Sequence, residues 1–284
     1  MIVALTGSNG FLGNKFLKNY KKNFKKIISL PSATINKNIK FYKHKSLLRD
    51  FLIKNKVDVL IHFAGIRKKD CELNKINAEN SILKFTEQLV NGINKTKKKI
   101  QFIYISTDHV FDGNSKSYKE NNNKNLKPNN SLGIFKLKAE RYVIKNSSYW
   151  TIIRLSAVMD DIRLSKFVID SINNKKKISL YTNIFFSPVL SSDLFKVIKK
   201  IIHIKLKNKI IHCSGNKRIN KYDFYLKLIG KKNYFLKEKA RISNFHPKDL
   251  SLSNKSSSVL LNYKFTNFES SVKQTKKILS SFKL

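Results

Sequence analysis

Short apolar runs and longer amphipathic stretches alternate along the first half of the chain. IVALT (2–6), KIISL (26–30), VDVLIHFA (57–64), IQFIYIS (100–106) and WTIIRLS (150–156) read as strands. Helical periodicity fills the intervals from Phe11 to about Asn23, near 46–55, around 75–93 and through SLGIFKLKAE at 131–140. Strands that are apolar without alternation are buried on both faces, as in a parallel sheet covered by helices. The pattern predicts an α/β fold on a doubly wound parallel sheet.

The polar stretch KENNNKNLKPNNS (119–131) has no periodicity and reads as a loop leading into a helix. Beyond residue 157 the alternation loosens. A helix near 162–174 is followed by the short run KISLY, the loop TNIFFSPVLSSD (182–193), and further helix and strand signals. There is no internal repeat and no linker rich in Pro, Gly or Ser. We expect a dinucleotide-binding domain over 1–156 and, over 157–284, a smaller C-terminal substrate lobe interleaved with it.

Composition narrows the function classes. With 284 residues, 41% of them apolar and 20 Phe, the chain has material for a sizeable core. No apolar run reaches the roughly 18 residues of a membrane-spanning helix, and MIVALTGSNG turns polar too early for a signal peptide. A soluble, cytoplasmic protein without a membrane span is expected. Cys71 and Cys213 stand far apart without metal-ligand spacing, so neither a disulfide framework nor a metal site is expected. The formal charge of +40 raises nucleic acid as a partner. Only 7 of the 58 basic residues are Arg, however, and the lysines are scattered through KKNFKK, KTKKK, NNKKK and VIKK. Base-reading surfaces favour the Arg fork. The charge is therefore read as background that steers anions, and no nucleic-acid partner is assigned.

The first strand runs directly into TGSNGFLG, which sets Gly7, Asn9, Gly10, Phe11, Leu12 and Gly13 at the mouth of the first helix. Glycines there let backbone approach a pyrophosphate whose charge is met by helix N-terminal amides, the arrangement of a Rossmann dinucleotide site. An acidic residue at the end of the second strand would favour NAD, but IISLPSATINK has none. Ser29, Ser32 and nearby lysines suit a 2′-phosphate, so NADP is preferred over NAD as cofactor.

ISTDHVFDG (105–113) resembles the signature of the extended short-chain dehydrogenase/reductases, in particular the dTDP-4-dehydrorhamnose reductase group. HFAG (62–65), Asn77, RLSAV (154–158), FSPVLSSDL (186–194), IHCSG (211–215) and HPKDLSLSN (246–254) extend the resemblance over nearly the whole chain. It implies an NAD(P)-dependent reductase or epimerase of a nucleotide-linked 4-keto sugar, with Ala64 and Gly65 also at the cofactor, and it leaves room for a homodimer. It further implies that Thr107 polarises the substrate carbonyl and that Lys136 holds the nicotinamide ribose. The tyrosine that should donate the proton is replaced by Leu132, and no YxxxK occurs elsewhere.

A positioned general acid contributes about 10² to 10⁴ in rate, roughly 3 to 5 kcal/mol of barrier. Two substitutes are open: His109, whose imidazole can donate a proton near neutral pH, or a water held by Thr107. A catalytically impaired protein that binds dinucleotide or sugar nucleotide as a regulatory or scaffold subunit is the alternative. In the second lobe Arg154, Lys166, Ser187, Pro188, Asp193, Arg218 and Lys248 fall on or beside matching segments, where each basic residue is either a diphosphate contact or plain charge. His246 stands where the family carries arginine, which leaves the substrate open.

Overall fold

A computed structural model describes residues 1–30, 45–241 and 247–280. Its central sheet has six strands: β1 (Ile2–Thr6), β2 (Lys26–Ser29), β3 (Val59–His62), β4 (Gln101–Thr107), β5 (Trp150–Leu155) and, across the outer edge, Lys209–Cys213. The spatial order runs from β2 through β1, β3, β4 and β5 to that last strand. The pairs β1–β2, β1–β3 and β3–β4 are parallel. Every residue of β3 and β5 is buried, and so are six of the seven in β4, which accounts for their unbroken apolar sequences.

The chain forms two compact units. The first comprises 1–110, 130–154 and 198–210. Among its described helices are α1 (Phe11–Tyr20), α2 (Lys45–Lys54), α3 (Lys68–Leu73), α4 (Lys75–Ala78), α5 (Phe85–Lys95) and α6 (Ser131–Asn146). Glu79–Lys84 is a π-helical turn that joins α4 to α5. The expected helix over 75–93 is thus one run with a wider turn inside it. Inserted π turns often accompany functional sites. Sequence periodicity did not register α3, whose six residues are too few to display a period; its local mark is the exposed Arg67–Asp70 pair.

The second unit comprises 111–129, 155–197 and 211–284. It contains α7 (Ile162–Asn173), most of α8 (Ser191–His203), α9 (Lys221–Ile229), α10 (Lys255–Leu260) and α11 (Phe268–Ser280). Two small sheets complete it: β6 (Ile178–Tyr181) parallel to Phe235–Glu238, and β7 (Phe185–Phe186) antiparallel to Ile219–Asn220. The segment 182–193, expected to be a loop, holds β7 and the start of α8. Asp160 starts that helix, accepting from the Ser191 amide at 2.7 Å and its hydroxyl at 2.5 Å. A cap supplied from 31 residues away leaves no local sequence signal.

In the first unit, the position of α6 is set by a buried ion pair. The Arg154 Nη2 lies 2.8 Å from Glu140 Oε2, its Nε lies 3.2 Å from both carboxylate oxygens, and each side chain is 1% exposed. Ser106 at the end of β4 donates to the same carboxylate at 2.5 Å. Glu140 on α6, Arg154 on β5 and Ser106 on β4 are thereby clamped in one network. Glu140→Ala leaves a buried guanidinium unpaired, so we expect a loss of about 3–5 kcal/mol, read as a lower urea midpoint. Glu140→Leu with Arg154→Met should recover most of the loss. An unchanged midpoint in Glu140→Ala would show that the pair does not anchor the helix.

Candidate functional site

The glycine loop closes over the end of β1, and its three glycines answer to different constraints. Gly7 has φ +70°, and a Cβ there would meet the Ala64 amide nitrogen at 2.7 Å. A Cβ on Gly13 would lie 2.2 Å from the Gly7 carbonyl oxygen. Both are required for the chain to pack at all. Gly10 has ordinary extended backbone (φ −78°, ψ 165°), and a Cβ there would meet only the Gly7 oxygen, at 3.3 Å. Packing constrains that position far less than the other two, whereas close approach by a ligand would demand a glycine there.

Gly10 is also the N-cap of α1, which has no side-chain cap and no acidic residue in its first turn. The first amides of a helix lack intrahelical acceptors and carry its positive pole. This end therefore fits a diphosphate, with Asn9 exposed and Phe11 and Leu12 half-buried beside it. Ser29 is exposed at the end of β2, while Ser32 and the lysines after it lie outside the described residues.

Below the loop, His62 is fully buried between two threonines. Its Nδ1 lies 2.6 Å from the Thr6 hydroxyl, and its Nε2 lies 3.1 Å from the Thr86 hydroxyl. Thr86 donates to the Ile82 carbonyl in the π turn at 2.5 Å, so it accepts from Nε2–H, and Nδ1 accepts from Thr6. Burial pushes the His62 pKa well down, and the charge of Lys136 adds to this. The ring is a neutral strut that ties β1 to the π turn beneath Ala64, whose amide donates to Thr6 at 3.3 Å.

Lys136 lies on the inner face of α6. Its Nζ donates to the Ile105 carbonyl at 2.7 Å and sits 4.7 Å from the centre of the Tyr104 ring. A Cβ on Gly65 would be 3.7 Å from Nζ, so the lysine head lies beside the exposed Gly65. Burial brings the Lys136 pKa down to about 8, opposed by Glu140. The same burial raises the neighbouring Cys71 thiol to about 11, which leaves it inert near neutral pH.

Thr107 ends β4, half-buried. Its hydroxyl donates to Asp108 Oδ1 at 3.1 Å and accepts from the His109 amide at 3.3 Å. The His109 Nδ1 lies 3.2 Å from Asn130 Nδ2, and Asn130 caps α6 by accepting from the Gly133 amide at 3.0 Å. Glu72 holds the same helix start, accepting from the Ser131 amide at 2.7 Å and its hydroxyl at 2.9 Å. The fields of Glu72 and Asp108 partly offset the burial that lowers the Lys68 pKa. Leu132, one residue into α6, packs half-buried against the core that includes Ala78 and Leu83.

Thr107, His109, Lys136 and Leu132 therefore belong to one unit, on β4, the turn after it and α6. Asn130, Glu72, Lys68 and Asp108 were not singled out from sequence. Asn130 was recoverable as a capping residue just before a helix, whereas Glu72 is 59 residues from its partner. The rest of the signature is architecture within the second unit. Phe111 is buried, Asp112 accepts from the Asn114 amide at 3.1 Å and from Tyr118, and Gly113 has φ +79° with its Cβ position 2.5 Å from Pro247.

The candidate phosphate contacts separate in the same way. Arg154 is consumed by Glu140 in the core. In the second unit, Asp193 is buried and accepts from the hydroxyls of Tyr263 at 2.5 Å and Thr266 at 2.9 Å. Ser187 accepts from the Leu252 amide at 2.9 Å, and the Pro188 carbonyl would lie 2.1 Å from a Cβ on Gly215. Arg218 is half-buried, 2.6 Å from Asp249 and stacked 3.5 Å from the Phe185 ring centre. Lys166 and Lys248 are exposed, and His246 lies outside the described residues. Among the described residues there is no cluster suited to a metal and no helix long and apolar enough to cross a membrane.

The lowered Lys136 pKa has a measurable consequence. Between about pH 8 and the ordinary lysine value of 10.5 the unfolded chain binds a proton that the folded chain does not, so stability rises with pH across that window. Lys136→Met should lack this rise, and the difference in urea midpoint between wild type and variant should grow in favour of wild type from pH 7.5 to 10. Parallel profiles would show that Lys136 does not titrate there.

The sequence is 25% identical over 244 residues to methionine adenosyltransferase 2 subunit beta of Xenopus tropicalis, covering 77% of this chain and 68% of that protein. In structure it is similar to a dTDP-4-dehydrorhamnose reductase of Clostridium acetobutylicum, with a TM-score of 0.84 at 21% identity over 99% of this chain and 100% of the other. The Bacillus anthracis dTDP-4-dehydrorhamnose reductase, solved in complex with NADP, aligns with a TM-score of 0.81 at 20% identity over 96% of this chain and 98% of that one. These likenesses show a Rossmann-type α/β fold. A model of the RmlD substrate binding domain family matches residues 1–279, and the chain belongs to that family.

Proposed function

We propose that this protein is an NAD(P)-dependent reductase or epimerase of a nucleotide-linked 4-keto sugar, working without the usual tyrosine. The observation that carries the reading is the pairing of Gly10, the glycine of the loop that packing constrains least, with the uncapped start of α1. Lys136 beside Gly65 supports it, as do the NADP-bound relative and the family. In this reading the first unit takes the dinucleotide at Gly7, Asn9, Gly10, Phe11, Leu12, Gly13, Ala64 and Gly65, and the second takes the sugar nucleotide. When bound, the nicotinamide supplies the hydride. Lys136 orients the ribose, Thr107 hydrogen-bonds the carbonyl oxygen once its hydroxyl turns from Asp108, and His109 is the nearby imidazole.

A second reading is a dinucleotide- or sugar-nucleotide-binding subunit without turnover. Leu132 favours it, since this side chain packs with the apolar core and offers no proton. One relative is also named as a subunit of another enzyme.

NADPH and NADH oxidation with a panel of nucleotide-linked 4-keto sugars distinguishes the two. We expect slow turnover by the wild type and a gain of about 10² to 10⁴ in Leu132→Tyr. Activity in the variant alone would favour the binding subunit. Failure of the wild type to bind either dinucleotide would overturn the reductase reading, failure to bind a sugar nucleotide as well would overturn the second, and equal affinity for the two dinucleotides would overturn the preference for NADP.

Gly10→Ala should weaken dinucleotide binding at least tenfold by titration while lowering the melting temperature far less than Gly13→Ala, since its Cβ needs the Gly7 oxygen to give by only a few tenths of an ångström. Gly13→Ala should instead destabilise the fold, because its Cβ would lie 2.2 Å from a backbone oxygen. Equal behaviour of the two variants would remove the argument from Gly10.

A further inference from the structure

We propose that Asn130 is a positioning residue that holds His109 as the neutral imidazole with its proton on Nε2, so that the ring offers a hydrogen-bond donor rather than an imidazolium. The argument begins with the amide's orientation. The Gly133 N–H can only donate, and it meets Asn130 Oδ1 at 3.0 Å. This fixes which end of the amide is oxygen. The other end, Nδ2, can only donate, and it lies 3.2 Å from His109 Nδ1. Nδ1 must therefore be the accepting nitrogen, and a neutral ring that accepts there carries its hydrogen on Nε2.

Protonating the ring at Nδ1 would set N–H against NH₂. Turning the amide over to relieve this would bring NH₂ against the Gly133 N–H and cost α6 its cap. Helix cap and ring tautomer are thus coupled through one side chain. Carboxylates that might draw a proton onto the ring are already engaged: Asp108 accepts from Thr107, and Glu72 accepts twice from Ser131. Lys68, the cation near both, adds positive charge to the same region.

The consequence for chemistry rests on the proposed reductase reading, whereas the tautomer does not. On that reading a neutral Nε2–H, two residues after Thr107 in sequence, would stabilise negative charge on an oxygen within its reach by donating a hydrogen bond, without having to surrender its proton. Such a donor needs no imidazolium at working pH. It is a different solution from the proton transfer that a tyrosine at position 132 would provide.

The test is nitrogen-15 NMR of the full chain labelled at histidine, with His109 identified by the resonances that vanish in His109→Gln. At pH 7 we expect a protonated Nε2 and an unprotonated Nδ1. Asn130→Asp keeps an acceptor for the Gly133 amide but places a carboxylate opposite the ring. It should leave the melting temperature close to wild type and move a proton onto Nδ1. Asn130→Ser, which caps without offering a donor to the ring, should give a mixture of tautomers. A protonated Nδ1 in the wild type, or an unchanged pattern in both variants, overturns the proposal. If no 4-keto sugar is ever turned over, the reductase reading fails while these spectra still decide the tautomer.

Discussion

The ion pair between Glu140 and Arg154 is the constraint on which the site's geometry depends. Two charges, each 1% exposed, are costly to bury, and the cost is offset only because the carboxylate is held by Arg154 and Ser106 together. That requirement fixes one turn of α6 against the ends of β4 and β5. Lys136 lies one turn before Glu140 on the same helix, so it is carried inward to the Ile105 carbonyl. An apolar contact would tolerate a helix sliding by a fraction of a turn. A buried, directional network with three members does not.

A second consequence follows at the start of α6. Asn130 and Glu72 meet the helix's positive end, where these two acceptors satisfy the amides of Gly133 and Ser131. The residue that should carry the acid, Leu132, thus sits on one of the best-anchored turns of the unit. On the proposed reading, leucine there withholds a hydroxyl without loosening the backbone that would present it. Thr107, His109 and Lys136 remain on elements held in register with that turn. On the proposed reading the scaffold and its proton donor are therefore separable, which is why one substitution can be used to interrogate turnover.

Much of this was legible in the sequence, and the boundary has physical causes. The parallel strands showed because burial on both faces leaves unbroken apolar runs, and the glycine loop showed because it follows a strand and opens a helix. What sequence did not disclose was long-range pairing. Nothing near Arg154 tells a reader that its charge is spent on Glu140 within the core, so it looked as available for a phosphate as Lys166 or Arg218. Glu72 and Asp160 were hidden likewise, since each caps a helix far along the chain. The helix α3 and the strand Phe185–Phe186 are too short for any period to emerge.

The three glycines mark how far a motif can be taken as a statement about ligand. From sequence alone, Gly7, Gly10 and Gly13 carry equal weight, yet two of them are fully explained by backbone contacts that the fold needs with or without a cofactor. A protein that had lost its dinucleotide would still be obliged to keep Gly7 and Gly13, on pain of a steric clash. Gly10 is under a much weaker obligation, because its dihedrals suit any residue and its Cβ would need the Gly7 oxygen to give by only a few tenths of an ångström. The informative position in the loop is consequently the one that the fold constrains least.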